Sequence, residues 1–177
     1  MIVAWWRVAM ARAYGECGRS RAPVSLVAED GCMGQIRQFD HVGITVADID
    51  AAAAFFELLG FETEGRAFLE GEFVDAVIGI PNSRSEVLTL RLPGGGTKLE
   101  LSSFVRPEHT RSPDAVSTEV GLRNICFEVE GLRDILDQLA EAGYGLVGDV
   151  GEMEGAWLMT YVRGPEGIIV ALAERLG

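Results

Sequence analysis

The stretch Phe39 to Asp50, "FDHVGITVADID", decides how the rest of the chain is read. Val42, Ile44 and Val46 alternate with His41, Gly43 and Thr45, the period of a strand with one buried face. Asp48 follows at a helix cap position, where its side-chain oxygen can accept a backbone N–H of the first turn. Ala51 to Ala54, Phe55, Phe56, Leu58 and Leu59 form a strong helical run, and Gly60 supplies a left-handed stop. One of two histidines in the chain therefore opens a strand, on the side turned away from the helix.

The pattern recurs in "LRNICFEVEGLR", which begins at Leu122. His41 falls on Asn124, an offset of 124 − 41 = 83, and at that offset Ile44 meets Phe127, Val46 meets Val129 and Ile49 meets Leu132. Gly60-Phe61 meets Gly143-Tyr144 without a gap, so the offset survives strand, helix and helix stop. In the second copy Leu132, Ile135, Leu136 and Leu139 share one helical face. Three strand-like runs follow each helix: "FETEGRAF", "EFVDAVIGI" continuing to "SEVLTLRL", and "TKLELSSF" in the first copy; "GLVGDV", "WLMTYVR" and "GIIVALAE" in the second. Aligning "GTKLEL" on "GIIVAL" pairs Glu100 with Ala171, an offset of 171 − 100 = 71. The expected fold is α+β: two tandem β-α-β-β-β modules, about 36–104 and 119–175, joined by a linker over 105–118 that holds Pro107 and Pro113. A sheet covered by a helix on one face leaves its other face open, and two such sheets can curve into a shared cup.

Strand parity assigns side chains to that open face. His41, Gly43 and Thr45 are expected there, with Lys98, Glu100 and Ser102 from "TKLELSSF". The second copy contributes Asn124, Cys126 and Glu128, and Ile169, Ala171 and Ala173. An imidazole and a carboxylate on neighbouring strands can bind a divalent metal, form a hydrogen-bonded pair, or act as an acid–base couple.

Composition narrows the partners. The net charge of −12 over 177 residues argues against nucleic acid or an anionic membrane, both of which need basic patches. No apolar run reaches the roughly 18 residues of a membrane span. Cys17, Cys32 and Cys126 form no zinc-like pair and leave one over, as expected of a reducing cytoplasm. Residues 1–34 differ in composition from the rest: Arg7 and Arg12 break any secretory apolar core, and the segment reads as an extension outside the fold, a weak amphipathic helix or a disordered arm. The folded domain is expected over 35–177.

From Gln35 to Gly177 the chain resembles the vicinal oxygen chelate superfamily, which includes glyoxalase I, methylmalonyl-CoA epimerase, extradiol dioxygenases and bleomycin-resistance proteins. The resemblance rests on "DHVGITVADIDAAAAFFELLGF", "KLELSSF", "GLRNICFEV" and "YVRGPEGIIVALAE". It implies paired β-α-β-β-β modules, a cup-shaped sheet, a small-molecule ligand and a homodimer. It also implies a divalent metal ion (zinc, nickel, manganese or cobalt) held at matching strand positions of the two modules. Carried over by position, the first-strand His is His41 and the "LEL" Glu is Glu100, with Asn124 where a His or Gln is usual and Ala171 where a Glu is usual. The metal set is thus His41, Glu100 and Asn124, with Glu100 also the catalytic carboxylate. Glu174 should point to the other face, and Glu128 is a candidate replacement ligand.

Two functions follow from that resemblance. One is a glyoxalase- or epimerase-like lyase or isomerase with a divergent metal site. The other is a metal-free binding protein of the bleomycin-resistance type, favoured by the two departures. An extradiol dioxygenase needs a second His that the pattern lacks. Trp157, Met159, Tyr161 and Phe73, on strands, can line the cup or belong to the core. "PGGGTK" (93–98) precedes a strand and reads as a hairpin turn, not a phosphate loop. "RGPEG" (163–167) reads as a turn whose charges face solvent, His109 as exposed, and Cys126 as a packing residue.

Overall fold

The computed structural model describes Gly34, residues 36–110 and 116–177; the expectation for the N-terminal extension falls almost wholly outside these. Residues His41–Gly177 form one compact unit.

Strand β1 (His41–Thr45) leads into helix α1 (Ile49–Leu58), followed by β2 (Glu62–Glu70), a short helix α2 (Glu72–Ile78), β3 (Arg84–Arg91) and β4 (Lys98–Arg106). These strands form a sheet of order β1-β4-β3-β2, with β1 parallel to β4 and the other pairs antiparallel. The second module repeats the plan with β5 (Ile125–Val129), α3 (Leu132–Glu141), β6 (Gly145–Leu146), β7 (Gly151–Met153), β8 (Trp157–Arg163) and β9 (Ile169–Arg175). Its sheet runs β5-β9-β8-β6, with β7 also on β8. The α+β architecture of two tandem modules around a cup-shaped sheet is the one the repeat implies.

The repeat is faithful to the residue. Ile49–Leu58 and Leu132–Glu141 are both ten-residue helices, displaced by the offset of 83. Gly60 and Gly143 both take left-handed conformations, at φ 89° and 88°. Val42 lies opposite Leu99 and Ile125 opposite Val170, so the strand register obeys both offsets. The helix caps differ. Asp48 accepts from the Ala51 N–H at 2.9 Å. Its counterpart Gly131 has no such side chain, and Glu174, on the helix side as parity requires, accepts from the Gly131 and Leu132 N–H groups at 2.8 and 3.2 Å.

The core lies between sheets and helices and joins the modules. Phe55, Phe56, Leu90, Leu99 and Leu101 of the first are buried in one cluster with Leu132, Leu139, Val170 and Leu172 of the second. Phe55 stacks edge-on against Tyr144 at 4.8 Å and Phe61 against Phe127 at 5.3 Å. Each buried aromatic contributes roughly 2–3 kcal/mol, so the modules stabilise one another. At the edge of the first sheet Arg66 bonds Glu86 at 2.6 Å and also Asp50 in the first turn of α1; the Arg66 bond holds the Asp50 carboxyl below the usual range.

Several expectations are corrected. "EFVDAVIGI" is helix α2 over most of its length. Phe73, Val74, Val77 and Ile78 recur at helical spacing, and Gly79 ends the turn in a left-handed conformation. Phe73 is therefore on no strand and is 53% exposed. "GLVGDV" is split, since strand residues stop at Leu146 and resume at Gly151. The "RGPEG" turn has a role beyond its exposed charge: Glu166, exposed as expected, accepts N–H groups of Ala47 and Asp48 in the first module. His109 is half-buried, and Cys126 is exposed instead of packed.

Candidate functional site

His41 is the first residue of β1 and Glu100 the third of β4. The two strands are parallel neighbours, with His41 opposite Lys98, Gly43 opposite Glu100 and Thr45 opposite Ser102. Leu99 and Leu101 are buried in the core, so Lys98, Glu100 and Ser102 project from the other face, beside His41, Gly43 and Thr45. His41 and Glu100 thus share one face, one strand apart and two residues offset. The position between them is Gly43, where an added Cβ would meet nothing within 4 Å. Apart from Lys98 and His41, the positions around Glu100 carry small residues, with Thr45, Ser102 and Thr89 as neighbours. Thr45 and Ser102 share a hydrogen bond at 3.3 Å.

In the second sheet the same rows carry other chemistry. Cys126 lies opposite Ala171, which lies opposite Tyr161; Glu128 lies opposite Ala173, which lies opposite Met159. Leu158, Thr160 and Val162 are buried on the helix side, so Trp157, Met159 and Tyr161 face the cup, as parity requires. Tyr161 and Met159 are partly exposed there, flanking the two alanines, and the Arg175 guanidinium lies 5.4 Å from the Trp157 ring. Asn124 sits half-buried just before β5.

The first module therefore offers an imidazole and a carboxylate, and the second an amide and an apolar wall. Among the described residues, no group of three or more His, Cys, Asp or Glu side chains comes together as a metal site. A catalytic zinc takes about three protein ligands and an open position. His41 and Glu100 are two, Asn124 is at best a weak neutral donor, and Ala171 donates nothing. This donor set does not fit a catalytic metal centre. Glu128, the replacement candidate, is in the row of Ala173, one row beyond Ala171. It instead borders a cavity of about 570 Å³ with Glu130, Glu174 and Arg175 at the ends of β5 and β9. That cavity includes neither His41 nor Glu100, and its Glu174 is already engaged in capping α3.

Sequence reasoning put Lys98 on the cup face without giving it a role. Its ammonium meets the Glu64 carboxylate at 2.6 Å. Glu64 stands where the β2–β3 register slips between Thr63 and Gly65, a bulge that no residue pattern announces.

Residues 38–172 match the Glyoxalase/Bleomycin resistance protein/Dioxygenase superfamily, and the chain belongs to it. Over 118 residues it is 34% identical to an ethylmalonyl-CoA/methylmalonyl-CoA epimerase of Cereibacter sphaeroides, covering 64% of this chain and 76% of that protein. Its fold matches a glyoxalase family protein of Bacillus cereus at 34% identity and a TM-score of 0.78, over 81% of this chain and 97% of that one. The trypanothione-dependent glyoxalase I of Leishmania major shares the fold at 18% identity and a TM-score of 0.55, over 78% of this chain and 87% of that one. No helix among the described residues is long and apolar enough to cross a membrane.

Proposed function

We propose that the protein is an isomerase or lyase of the epimerase and glyoxalase type, which moves a proton on the carbon beside a carbonyl of a small acyl substrate held in the cup. The observation that carries this reading is the pair His41 and Glu100 on one sheet face, separated by the open position at Gly43. A substrate carbon above Gly43 has the Glu100 carboxylate beside it on β4 and the His41 imidazole two residues back along β1. Glu100 accepts the proton as the C–H bond breaks, and the electron pair moves onto the carbonyl oxygen. His41, carrying a proton, returns it to the carbon from its own position along β1, and both groups re-equilibrate with solvent. The epimerase relative supports a short branched acyl-CoA thioester as substrate. A homodimer in the cytoplasm accompanies this reading.

The test is α-hydrogen exchange of methylmalonyl-CoA in D2O, followed by proton NMR. Wild type should exchange the C2 hydrogen and Glu100→Gln should not. Absence of exchange by wild type would sink the reading.

A second reading has its own observation. Tyr161, Met159 and Trp157 flank the floor of Ala171 and Ala173 with apolar surface where a metal ligand would otherwise stand. That wall suits a metal-free binding protein for an aromatic or alkyl ligand. Tight binding of such a ligand without any exchange chemistry would favour it.

A further inference from the structure

We propose that Thr45 is a catalytic residue of this site: its hydroxyl, backed by that of Ser102, donates to the substrate carbonyl oxygen and holds the enolate charge that develops there. The inference rests on the proton-transfer reading above. Removing a proton next to a carbonyl leaves a negative charge on its oxygen, so that reading needs a donor beside the oxygen. The donor set of this chain does not fit a catalytic metal, and the Lys98 ammonium is drawn to Glu64 on β2. A pair of hydroxyls stands one row from the open position at Gly43.

Three observations carry the assignment. The first is reach. Gly43 and Glu100 are register partners, and Thr45 and Ser102 are the next partners on the same face. Val42, Ile44 and Val46 pack on the core, so Thr45 turns to the cup with Gly43. Alternate residues of a strand lie about 6–7 Å apart. From a carbon above Gly43, a carbonyl oxygen about 2.4 Å away and a hydrogen bond of about 2.8 Å span most of that step, and the Thr45 side chain spans the rest. His41 lies one such step away in the other direction along β1, so the oxygen is held on the side that reprotonation leaves open. The second observation is an unspent proton. Thr45 Oγ1 and Ser102 Oγ lie 3.3 Å apart, long for two hydroxyls, and among the described residues this is the only hydrogen bond that either makes. Two hydroxyls carry two protons and the shared bond uses one, so one O–H remains to donate. The third is the order of the pair. Thr45 is exposed and Ser102 half-buried. Beyond Ser102 on β3 stands Val87, 3% exposed, which offers no polar partner. Ser102 therefore donates to Thr45, and the Thr45 O–H turns out to the cup. A hydroxyl whose oxygen accepts a hydrogen bond donates more strongly in its turn.

The step balances. The α C–H bond breaks, its proton passes to Glu100, and its electron pair forms the enolate. The enolate oxygen accepts the Thr45 hydrogen bond until the carbon is reprotonated, and Thr45 keeps its own proton throughout. No electron leaves the substrate and no other reactant is needed.

The experiment measures C2 exchange of methylmalonyl-CoA in D2O by wild type, Thr45→Val, Thr45→Ser and Ser102→Ala, each treated with chelator and checked for folding by thermal unfolding. Thr45→Val keeps the shape and loses the hydroxyl. It should lower kcat by about 100-fold, the scale of a lost oxyanion donor, with KM changed less than about threefold. Thr45→Ser should recover at least about tenfold of that loss by restoring an O–H, and chelator-treated wild type should keep its rate. Ser102→Ala should cost about 3- to 10-fold, because it removes only the support. Adding Ser102→Ala to Thr45→Val should slow exchange by less than about twofold more, since the two hydroxyls act in series. Active wild type with Thr45→Val of equal rate overturns the inference and leaves the proton-transfer reading standing. So does a rise in KM with kcat unchanged, which would make Thr45 a binding contact alone. Equal losses in Thr45→Val and Thr45→Ser overturn it as well, since shape and not the hydroxyl would then matter. A larger loss in Ser102→Ala than in Thr45→Val overturns the assignment to Thr45. Loss of the wild-type rate on chelation, restored by zinc alone, overturns it too. No exchange by wild type overturns the reading and the inference together. Should Thr45→Val fail to fold, Thr45→Ala replaces it under the same criteria.

Discussion

Glu166 accepts the backbone N–H of Ala47 through both carboxylate oxygens, at 2.8 and 2.7 Å, and so ties the last turn of the second module to the strand–helix junction of the first. It also accepts the Asp48 N–H at 2.7 Å. Glu166 is held in a left-handed conformation, at φ 54°, to make this reach. These donors sit just ahead of α1, where a negative charge also meets the positive end of the helix. Glu166→Ala should lower the stability of the whole unit by about 1–2 kcal/mol, measured by urea unfolding. An unchanged midpoint would mean that water replaces the carboxylate without cost.

Gly164 and Gly43 make a matched pair of steric tests. A Cβ on Gly164 would lie 2.7 Å from the Phe55 ring, in the core shared by the modules. Gly164→Ala should destabilise by about 1–3 kcal/mol through overpacking. Gly43→Ala meets open space and should stay within about 1 kcal/mol of wild type in thermal unfolding. A bulkier Gly43→Leu should fold equally well and block exchange of the acyl substrate, since it fills the position between His41 and Glu100.

Metal affinity follows from ligand count. Asn124→His with Ala171→Glu would supply the missing donors, although the carboxylate introduced at position 171 must rise between Cys126 and Tyr161. Calorimetric titration with zinc or manganese should show affinity higher by orders of magnitude in the double variant than in wild type. Tight stoichiometric binding by wild type, abolished in His41→Ala, would reveal ligands beyond His41, Glu100 and Asn124.

Asp75 makes the loop before β3 sensitive to acid. Its carboxylate accepts the Ser83 hydroxyl at 2.6 Å, the Ser83 N–H at 2.8 Å and the Asn82 N–H at 2.7 Å. The Ser83 hydroxyl and then its N–H lead in holding the Asp75 carboxyl below the usual range. With the folded value depressed, the stabilisation is present above the unfolded carboxylate value, near about 4, and is lost as pH falls through the folded one. The protection factors of the Asn82 and Ser83 amides, taken against the intrinsic exchange rate at each pH, should therefore fall at acid pH in wild type, and be low already at neutral pH in Asp75→Asn. Identical protection in both proteins would show that the loop is held by other contacts.

Much of this protein is determined by periodicity. A period of two over Val42 to Val46, a period near 3.6 over Leu132 to Leu139, and the glycine stops at Gly60 and Gly143 are local steric facts, and they repeat at one spacing. They suffice to set the two modules, the course of α1 and α3, and the cup face that His41 and Glu100 share. The helix α2 escapes such a reading because a short apolar run fits a buried strand and a helical turn alike, and no residue of α2 is buried in the core to break the tie. What only the tertiary structure decided depends on groups far apart in the chain. The Glu166 cap on Ala47 spans 119 residues, and the Lys98–Glu64 pair needs a bulge that slips the β2–β3 register. Neither leaves a local pattern, because a carboxylate reaching for an N–H or an ammonium is chosen by distance in space, and that distance exists only after the sheets have formed.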